Sequence, residues 1–300
     1  LASSDGRHEL AAPNVRRLAM LGRRATLARI ALTLPAVALV SIALFLPLSW
    51  LLYQSFINPA GFTLEHYLVV VERPAYLGFL KTTFQLSFLA TGICIVLAYP
   101  MCYAMVVLRP VFGSFLFACV ICSFFASYLV RTYAWLLLLQ RRGMINSFLM
   151  ERGWIEQPLQ LVYNLNGTVL GMVHILLPLM VLPLYASMKA VDGNLVKAAM
   201  GLGASPSRAF RDVFLPLSLP GLIAGGVLVF ILSLGFYLTP AVLGGGRIVV
   251  WATAIATAAE ENPVWGAAGA LGIILLVGTF ALLYGLKRVF RIDALLGRSA

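Results

Sequence analysis

Six stretches of the sequence are long and apolar enough to cross a lipid bilayer, and this pattern restricts the chain more than any other feature. A helix needs about 20 apolar residues to span the hydrocarbon. The stretches are residues 30–53, 82–108, 112–139, 168–188, 219–238 and 265–286. One core of ordinary size cannot bury them all, and the 11% charged residues fall well below the roughly 25% of soluble domains. The sequence therefore predicts an all-α membrane protein with about six transmembrane helices.

The positions of Lys and Arg predict how the chain is oriented, because these residues accumulate on the cytoplasmic side. With the N-terminus inside, fifteen of the 22 lie on the cytoplasmic side. The other seven are Arg73, Lys81, Arg131, Arg141, Arg142, Arg152 and Arg247. We therefore expect a cytoplasmic basic tail (1–29), a transmembrane domain (30–288) with a cytoplasmic loop (189–218), and a cytoplasmic C-terminal tail (289–300). The charges flank membrane spans, so lipid explains them better than nucleic acid does.

Several functions are disfavoured by what the sequence lacks. It has no G-x-x-x-x-G-K-[ST] phosphate loop, and the glycines before Arg247 lack the Lys-Ser/Thr pair, which favours an outer loop. No predicted span contains Asp or Glu, and His174 is the one histidine within a span. An enzyme or a metal site is thus not expected. His174 is interpreted as a residue that hydrogen-bonds to a neighbouring helix. The C-x-x-C at Cys119 and Cys122 lacks further ligands and favours packing.

The cytoplasmic loop between the fourth and fifth spans is the most informative segment. Asn194 is expected to cap a helix over residues 195–202, and Gly203 to form a turn with positive φ. Ser205 is expected to cap a second helix that runs from Pro206 to about residue 214. Pro216 is expected to end this helix. The pattern thus predicts two short helices joined by a glycine turn.

Small and apolar residues in this loop offer a surface on which another protein can dock. The small ones are Ala198, Ala199, Gly203 and Ala204, and the apolar ones are Leu202, Phe210, Val213 and Phe214. A loop that packs only on its own spans would explain the same residues, so the two interpretations stay open at this point.

The string Lys-Ala-Ala-x-x-Leu-Gly-Ala-Ser at 197–205, with the Leu-Pro-Leu and Leu-Pro-Gly that follow, resembles the EAA loop of ABC importer permeases. The resemblance implies a type I importer permease fold in which coupling helices dock on a cytoplasmic ATPase. The implied docking residues are Lys197, Ala198, Ala199, Leu202, Gly203, Ala204, Ser205, Arg208 and Phe210. Lys197 departs from the family, which has an acidic residue there, so either the ATPase compensates or that contact is dispensable.

Further strings resemble the spermidine/putrescine-type branch of these permeases, most distinctively Arg-Thr-Tyr-Ala-Trp at 131–135. The branch includes relatives for opines, other amino compounds and organophosphonates. Membership implies a multi-pass subunit of the bacterial inner membrane, without catalytic residues or a cofactor of its own. The implied partners are a homologous second permease, two ATPase subunits that use ATP and Mg, and a periplasmic solute-binding protein.

An amine-containing solute would be helped through the membrane by aromatic faces, through cation–π contacts of about 0.5 to 2 kcal/mol. The candidate pathway residues are Tyr128, Arg131, Tyr133, Trp135, Tyr185, Phe236 and Tyr237. Taken singly, each aromatic residue is better explained by an interfacial belt or by packing. Arg131 is suited either to attract an anionic group or to extend to the lipid headgroups.

The sequence thus predicts one half of an ATP-driven importer of a small amine-containing solute, a polyamine or a related opine or amino compound. The alternative is an ion-coupled secondary carrier that works alone, for which neither inverted repeats nor a midplane ion site is found. A membrane-anchored structural protein is a third interpretation, which predicts that changes at Gly203 and Ala204 are tolerated.

Overall fold

The computed structural model describes residues 11–58, 61–261 and 265–290, and it is almost entirely helical in these parts. The predicted terminal tails extend beyond the described residues at 1–10 and 291–300. From Ala11 onward the predicted N-terminal tail is helical and continuous with the first span. The helices are α1 (Ala11–Ser55), α2 (Glu65–Glu72), α3 (Pro74–Val107), α4 (Pro110–Phe125), α5 (Tyr128–Leu139), α6 (Met144–Glu151), α7 (Leu165–Lys189), α8 (Gly193–Gly201), α9 (Pro206–Ala209), α10 (Leu215–Leu234), α11 (Leu238–Gly244), α12 (Trp251–Glu261) and α13 (Gly266–Phe290). A short antiparallel hairpin pairs β1 (Ile57–Asn58) with β2 (Gly61–Phe62).

Helix α7 lies at the centre of the fold, because thirteen of its 25 residues are buried. It packs against α3 and α10, which complete the main core. Gly221 of α10 lies against α7, and a methyl group there would collide with Ser187 and with the carbonyl oxygen of Pro183. Close approach at a small residue is the usual way in which helices associate in a membrane, where apolar burial gives no net advantage over lipid.

The contacts between these helices fix their relative directions. Cys94 and Cys102 of α3 donate S–H···O contacts to the carbonyl oxygens of Val173 and Val181 of α7, and both pairs have the same sequence separation. Helices α3 and α7 therefore run parallel. By contrast, Gly221 and Gly225 of α10 face Pro183 and Met180 in reversed order, so α10 is antiparallel to α7.

The prediction of one continuous third span over 112–139 is wrong, because the chain bends by 96° between α4 and α5. The parallel directions of α3 and α7 require an odd number of crossings between them. Helices α4 and α5 therefore act together as one broken span. With the five continuous spanning helices in the described part of the chain, the total is six.

The end of α1 lies beside the start of α13, where the rings of Trp50 and Trp265 pack edge to face at 5.9 Å. The two helices consequently place Ala11 and Phe290 toward the same end of the molecule. Over residues 33–55, helix α1 makes few other contacts, and Leu39 on it is 70% exposed. Such an apolar, unburied helix surface is what a lipid-facing span requires.

Candidate functional site

The loop between α7 and α10 has the predicted helix, turn and helix, with one cap misassigned. The helix begins one residue before Asn194, because the carboxylate of Asp192 accepts a 2.9 Å hydrogen bond from the Asn194 N–H. Gly203 has φ of +94° as expected. Ser205 caps the second helix by accepting from the N–H of Arg208, and Pro206 occupies the first turn.

The prediction that Pro216 ends the second helix is wrong. Helix α9 passes into a π-helical turn, Phe210–Phe214, and then directly into α10. In this turn the N–H of Leu215 donates to the carbonyl of Phe210, five residues back. The wider turn accommodates Pro216, which lacks an N–H and would crowd the preceding turn of a regular α-helix. The loop thus continues into a spanning helix without an intervening break.

The apolar residues of the loop divide between its surface and the core. Leu202, next to the glycine turn, is 91% exposed. Phe210 and Phe214 instead face the protein's own core, where their rings pack against Tyr103 at 5.2 and 5.3 Å. The expectation that these two phenylalanines offer a docking surface is corrected, since their rings anchor the loop to α3.

The other predicted docking residues lie on or beside the exposed surface of α8 and α9. The exposed ones are Lys197, Ala198, Gly203, Ser205 and Arg208, whereas Ala199 and Ala204 are half-buried. The backbone of the turn is well defined, since the N–H groups of Leu202, Gly203 and Ala204 all bond to carbonyls of α8.

At the other end of the molecule, two interruptions in spanning helices meet. The first separates α4 from α5, and the second separates α10 from α11 around Gly235. Tyr128, the first residue of α5, packs edge to face on Phe236 with ring centroids 5.4 Å apart. Its hydroxyl accepts hydrogen bonds from the N–H and the hydroxyl of Thr239 at 3.3 and 3.2 Å. Broken helices that line a cavity are where transporters commonly bind solute.

A polar cluster extends from this junction along α5 into α7. Thr132 and Thr239, both fully buried, lie with their hydroxyl oxygens 3.3 Å apart. The Trp135 indole N–H donates to Nδ1 of His174 at 2.9 Å, and Nε2 of His174 lies 3.4 Å from the Ser123 hydroxyl. His174 therefore makes the predicted contact between helices. Thr132 and Thr239 were not predicted as site residues, because a threonine within an apolar run does not by itself indicate a functional site.

Arg131 lies one helical turn before Trp135, on the same side of α5. Its Nε and Nη1 atoms are buried without a hydrogen-bond partner among the described residues. Arg131 is half-buried, and buried donors without a partner are costly, so an anionic or acceptor group from outside this chain would stabilise Nε and Nη1.

The remaining candidate pathway residues lie apart from the cluster. Tyr133 is 50% exposed on another side of α5, and Tyr237 is 42% exposed. Tyr185 stacks on Phe117 at 4.9 Å, near the loop end of α7, with the Lys189 ammonium 5.7 Å from its ring. The structure thus brings together Tyr128, Arg131, Trp135 and Phe236, and not the other three.

The cysteines divide into two pairs with different surroundings. Cys94 and Cys102 are buried, whereas Cys119 and Cys122 are exposed on α4, and all four are free thiols. The expectation that Cys119 and Cys122 pack inside this chain is therefore wrong. In the described part of the chain no three His, Cys, Asp or Glu side chains come close enough to hold a metal ion.

Known transport proteins share much of this sequence, although no family model matches it. The spermidine/putrescine transport system permease protein PotB of Escherichia coli is 31% identical over 225 residues, which cover 74% of this chain and 82% of PotB. The putative 2-aminoethylphosphonate transport system permease protein PhnU of Salmonella typhimurium is 32% identical over 206 residues, 67% of this chain and 71% of PhnU.

Solved structures share the fold at lower sequence identity. A bacterial ABC transporter involved in the import of the acidic polysaccharide alginate has a chain that matches with a TM-score of 0.70 at 17% identity, covering 92% of this chain and 98% of the other. A chain of the MetNI methionine ABC transporter matches with a TM-score of 0.55 at 16% identity, covering 72% and 94%.

Proposed function

The chain belongs to the spermidine/putrescine-type family of ABC-importer permease subunits, and on that premise we propose that it carries a small amine-containing solute inward. It is a multi-pass protein of the bacterial inner membrane. The observation that carries the proposal is the 31% identity with PotB over three quarters of the chain. The exposed glycine turn between α8 and α9 supports docking of this loop on a motor protein.

In this proposal the loop that contains α8 and α9 lies in the cytoplasm and docks on an ATPase subunit. Leu202 is the apolar contact at its tip, and Lys197, Ala198, Ala199, Ala204, Ser205 and Arg208 surround it. Two such ATPases, using ATP and Mg, drive this chain and a homologous second permease. The continuity of α9, the π-helical turn and α10 supports direct transmission from the motor to a spanning helix.

The solute path in this proposal passes the junction of the two interrupted helices. Tyr128, Trp135 and Phe236 offer aromatic faces to an ammonium group there, and Arg131 lies beside them. Gly171, six residues into α7, lies against Thr239 of the junction, so the junction lies about 9 Å from the end of that helix opposite the loop. A solute released by a periplasmic binding protein would therefore meet this junction before it reached the loop end of α7.

Two substrate classes fit this junction to different degrees. A polyamine such as spermidine or putrescine is supported by the name of the PotB relatives and by the aromatic residues. An amino compound that also carries a carboxylate or a phosphonate is supported by Arg131, whose buried Nε and Nη1 atoms lack partners among the described residues. The spanning segments offer no carboxylate for a dication, which favours the second class on electrostatic grounds.

Uptake assays with the assembled importer distinguish the two classes. The importer would be reconstituted in liposomes with its binding protein and ATP, and tested with spermidine, putrescine and 2-aminoethylphosphonate. Arg131→Gln should abolish uptake of an anionic amino compound while sparing a polyamine. Lack of ATP-dependent uptake of any amine by the intact complex would contradict the proposed function.

A further inference from the structure

Three arginines converge on one cavity at the end of the molecule opposite the α8–α9 loop. Arg141, Arg142 and Arg247 line a cavity of about 490 Å³ together with Gln140, Gln160 and Tyr163. Arg141 and Arg142 follow α5, and Arg247 follows α11. The cavity therefore gathers cations from distant parts of the sequence.

The location of this cavity follows from the chain direction. Tyr163 precedes the first residue of α7, Leu165, and the α8–α9 loop follows the last, Lys189. Twenty-five helical residues separate the two by about 37 Å. Since the loop faces the cytoplasm in the proposed function, the arginine cavity faces the periplasm. Cations are normally depleted on that side, yet three of the seven Lys and Arg assigned to it surround this one cavity.

None of the residues that line the cavity is acidic. Glu151 and Glu156, the carboxylates of the adjoining segment, do not line it. The three guanidinium groups make no ion pair and no side-chain hydrogen bond within the described parts of the chain, and all three residues are exposed. Three neighbouring like charges repel one another, so an anionic partner would stabilise the cluster.

The surrounding backbone is held in place by buried hydrogen bonds. Asn146, which is fully buried, donates to the carbonyl oxygens of Gln140 and Leu159 at 3.1 and 3.0 Å and accepts from the Leu159 N–H at 2.8 Å. The Tyr163 N–H donates to the Leu243 carbonyl at 2.8 Å, and the Arg247 N–H to the Gly244 carbonyl at 3.0 Å. These bonds fix the three segments that line the cavity, two of which carry the arginines, so the cavity is preorganised for a partner.

We propose that this arginine cavity receives acidic side chains of the periplasmic solute-binding protein when that protein docks on the importer. The inference rests on the proposed function for its orientation. Planar guanidinium groups suit bidentate contacts with carboxylates. A polyamine is repelled by three bare arginines, so a solute of that class is a poor occupant, and neutralisation by the docked protein would ease its entry. An anionic lipid headgroup is the alternative occupant, and binding to phosphatidylglycerol vesicles distinguishes it from a docked protein.

The test is a binding measurement on the intact importer in nanodiscs with the purified solute-binding protein. The combined variant Arg141→Glu, Arg142→Glu and Arg247→Glu should weaken binding about tenfold or more at low salt, mainly through the association rate. Arg152→Glu is the matched control, because Arg152 is an exposed arginine of the same side that contacts Phe148 and does not line the cavity. Its affinity should stay within about twofold of the parent value.

A charge exchange completes the test. Acidic residues of the binding protein, mutated to Arg one at a time, should restore binding to the glutamate variant at the matching position. Unchanged affinity and salt dependence of the combined variant would overturn the inference while leaving the importer assignment intact. If the combined variant loses binding to phosphatidylglycerol vesicles while its affinity for the solute-binding protein is unchanged, the inference is also overturned, in favour of a lipid site. If the unmodified importer binds no solute-binding protein, the proposed function itself fails.

Discussion

The indole N–H of Trp135 donates a 2.9 Å hydrogen bond to Nδ1 of His174, and this bond joins the broken span to the central helix. An acceptor at Nδ1 requires that this nitrogen carry no proton, so the proton of the neutral ring is on Nε2, facing the Ser123 hydroxyl. The orientation of α5, and with it the positions of Tyr128 and Arg131, depends on this contact and on the Thr132–Thr239 pair.

Replacing Trp135 by Phe should destabilise the permease while preserving most of its apolar contacts. Hydrogen bonds between membrane helices contribute about 0.6 to 2 kcal/mol, and the substitution leaves Nδ1 of His174 without a donor. A lower thermal unfolding midpoint of the purified complex in detergent is expected. Tyr133→Phe is the control, because Tyr133 is exposed on the same helix. An equal effect of the two substitutions would contradict the account.

Gly203→Val should uncouple the motor from transport without preventing membrane insertion. At φ of +94° a β-branched residue is strained, at a cost of roughly 1 to 2 kcal/mol, so the turn between α8 and α9 would change shape. ATP-driven uptake of the solute should fall about tenfold or more, an amount that this strain energy allows.

Gly201→Ala is the matched control for this change. Gly201 lies two residues earlier in the same exposed loop, at the end of α8, and a methyl group there meets nothing within 4 Å. Uptake by this variant should equal that of the parent. Normal uptake by Gly203→Val would remove the loop from the coupling mechanism and favour a structural role.

Leu202→Asp should release the ATPase subunits during purification. This leucine is 91% exposed and contributes nothing to the core of the chain, so the permease should remain folded and monodisperse. The amount of ATPase that co-purifies with the tagged chain, measured against the parent, should drop about fivefold or more, since a charge in an apolar contact is strongly unfavourable. Undiminished recovery of the ATPase would exclude Leu202 from the interface.

Tyr128→Phe should reduce transport less than Tyr128→Ala does. Phe retains the ring that packs on Phe236 and loses the hydroxyl that accepts from Thr239. If the ring contacts the solute, the alanine variant should raise the KM of ATP-driven uptake, whereas the phenylalanine variant should mainly lower stability. Equal KM values for both variants and the parent would remove Tyr128 from the solute path.

Much of the fold was predictable from hydropathy, because every spanning helix carries an uninterrupted apolar run. The break between α4 and α5 was not, since Ala126 and Ser127 lie within a stretch, residues 114–139, that contains neither Pro nor Gly. The bend depends on tertiary contacts, chiefly the bonds from Thr239 to Tyr128, that hydropathy cannot register. At Pro216 the sequence predicted a helix end that the structure does not have, because a π-helical turn accommodates a proline that usually ends a helix.

The coupling loop was predictable in more detail than the solute junction. Gly203, Ser205 and Pro206 have conformational roles that depend on residue type, and all three occur as expected. The pathway residues were chosen as aromatic types alone, and this criterion could not separate Tyr128 and Phe236, which meet at the helix breaks, from Tyr185 near the loop. The contact between Thr132 and Thr239 was not predictable, because a threonine hydroxyl in an apolar run is usually hydrogen-bonded within its own helix.

The most direct test of the central claim is solute accumulation in liposomes under two driving forces. The chain reconstituted with its second permease, ATPases and binding protein should accumulate an amine solute only with ATP, and the chain alone should accumulate none under an H⁺ or Na⁺ gradient. Accumulation by the purified chain alone under an ion gradient would contradict the importer assignment and establish a secondary carrier.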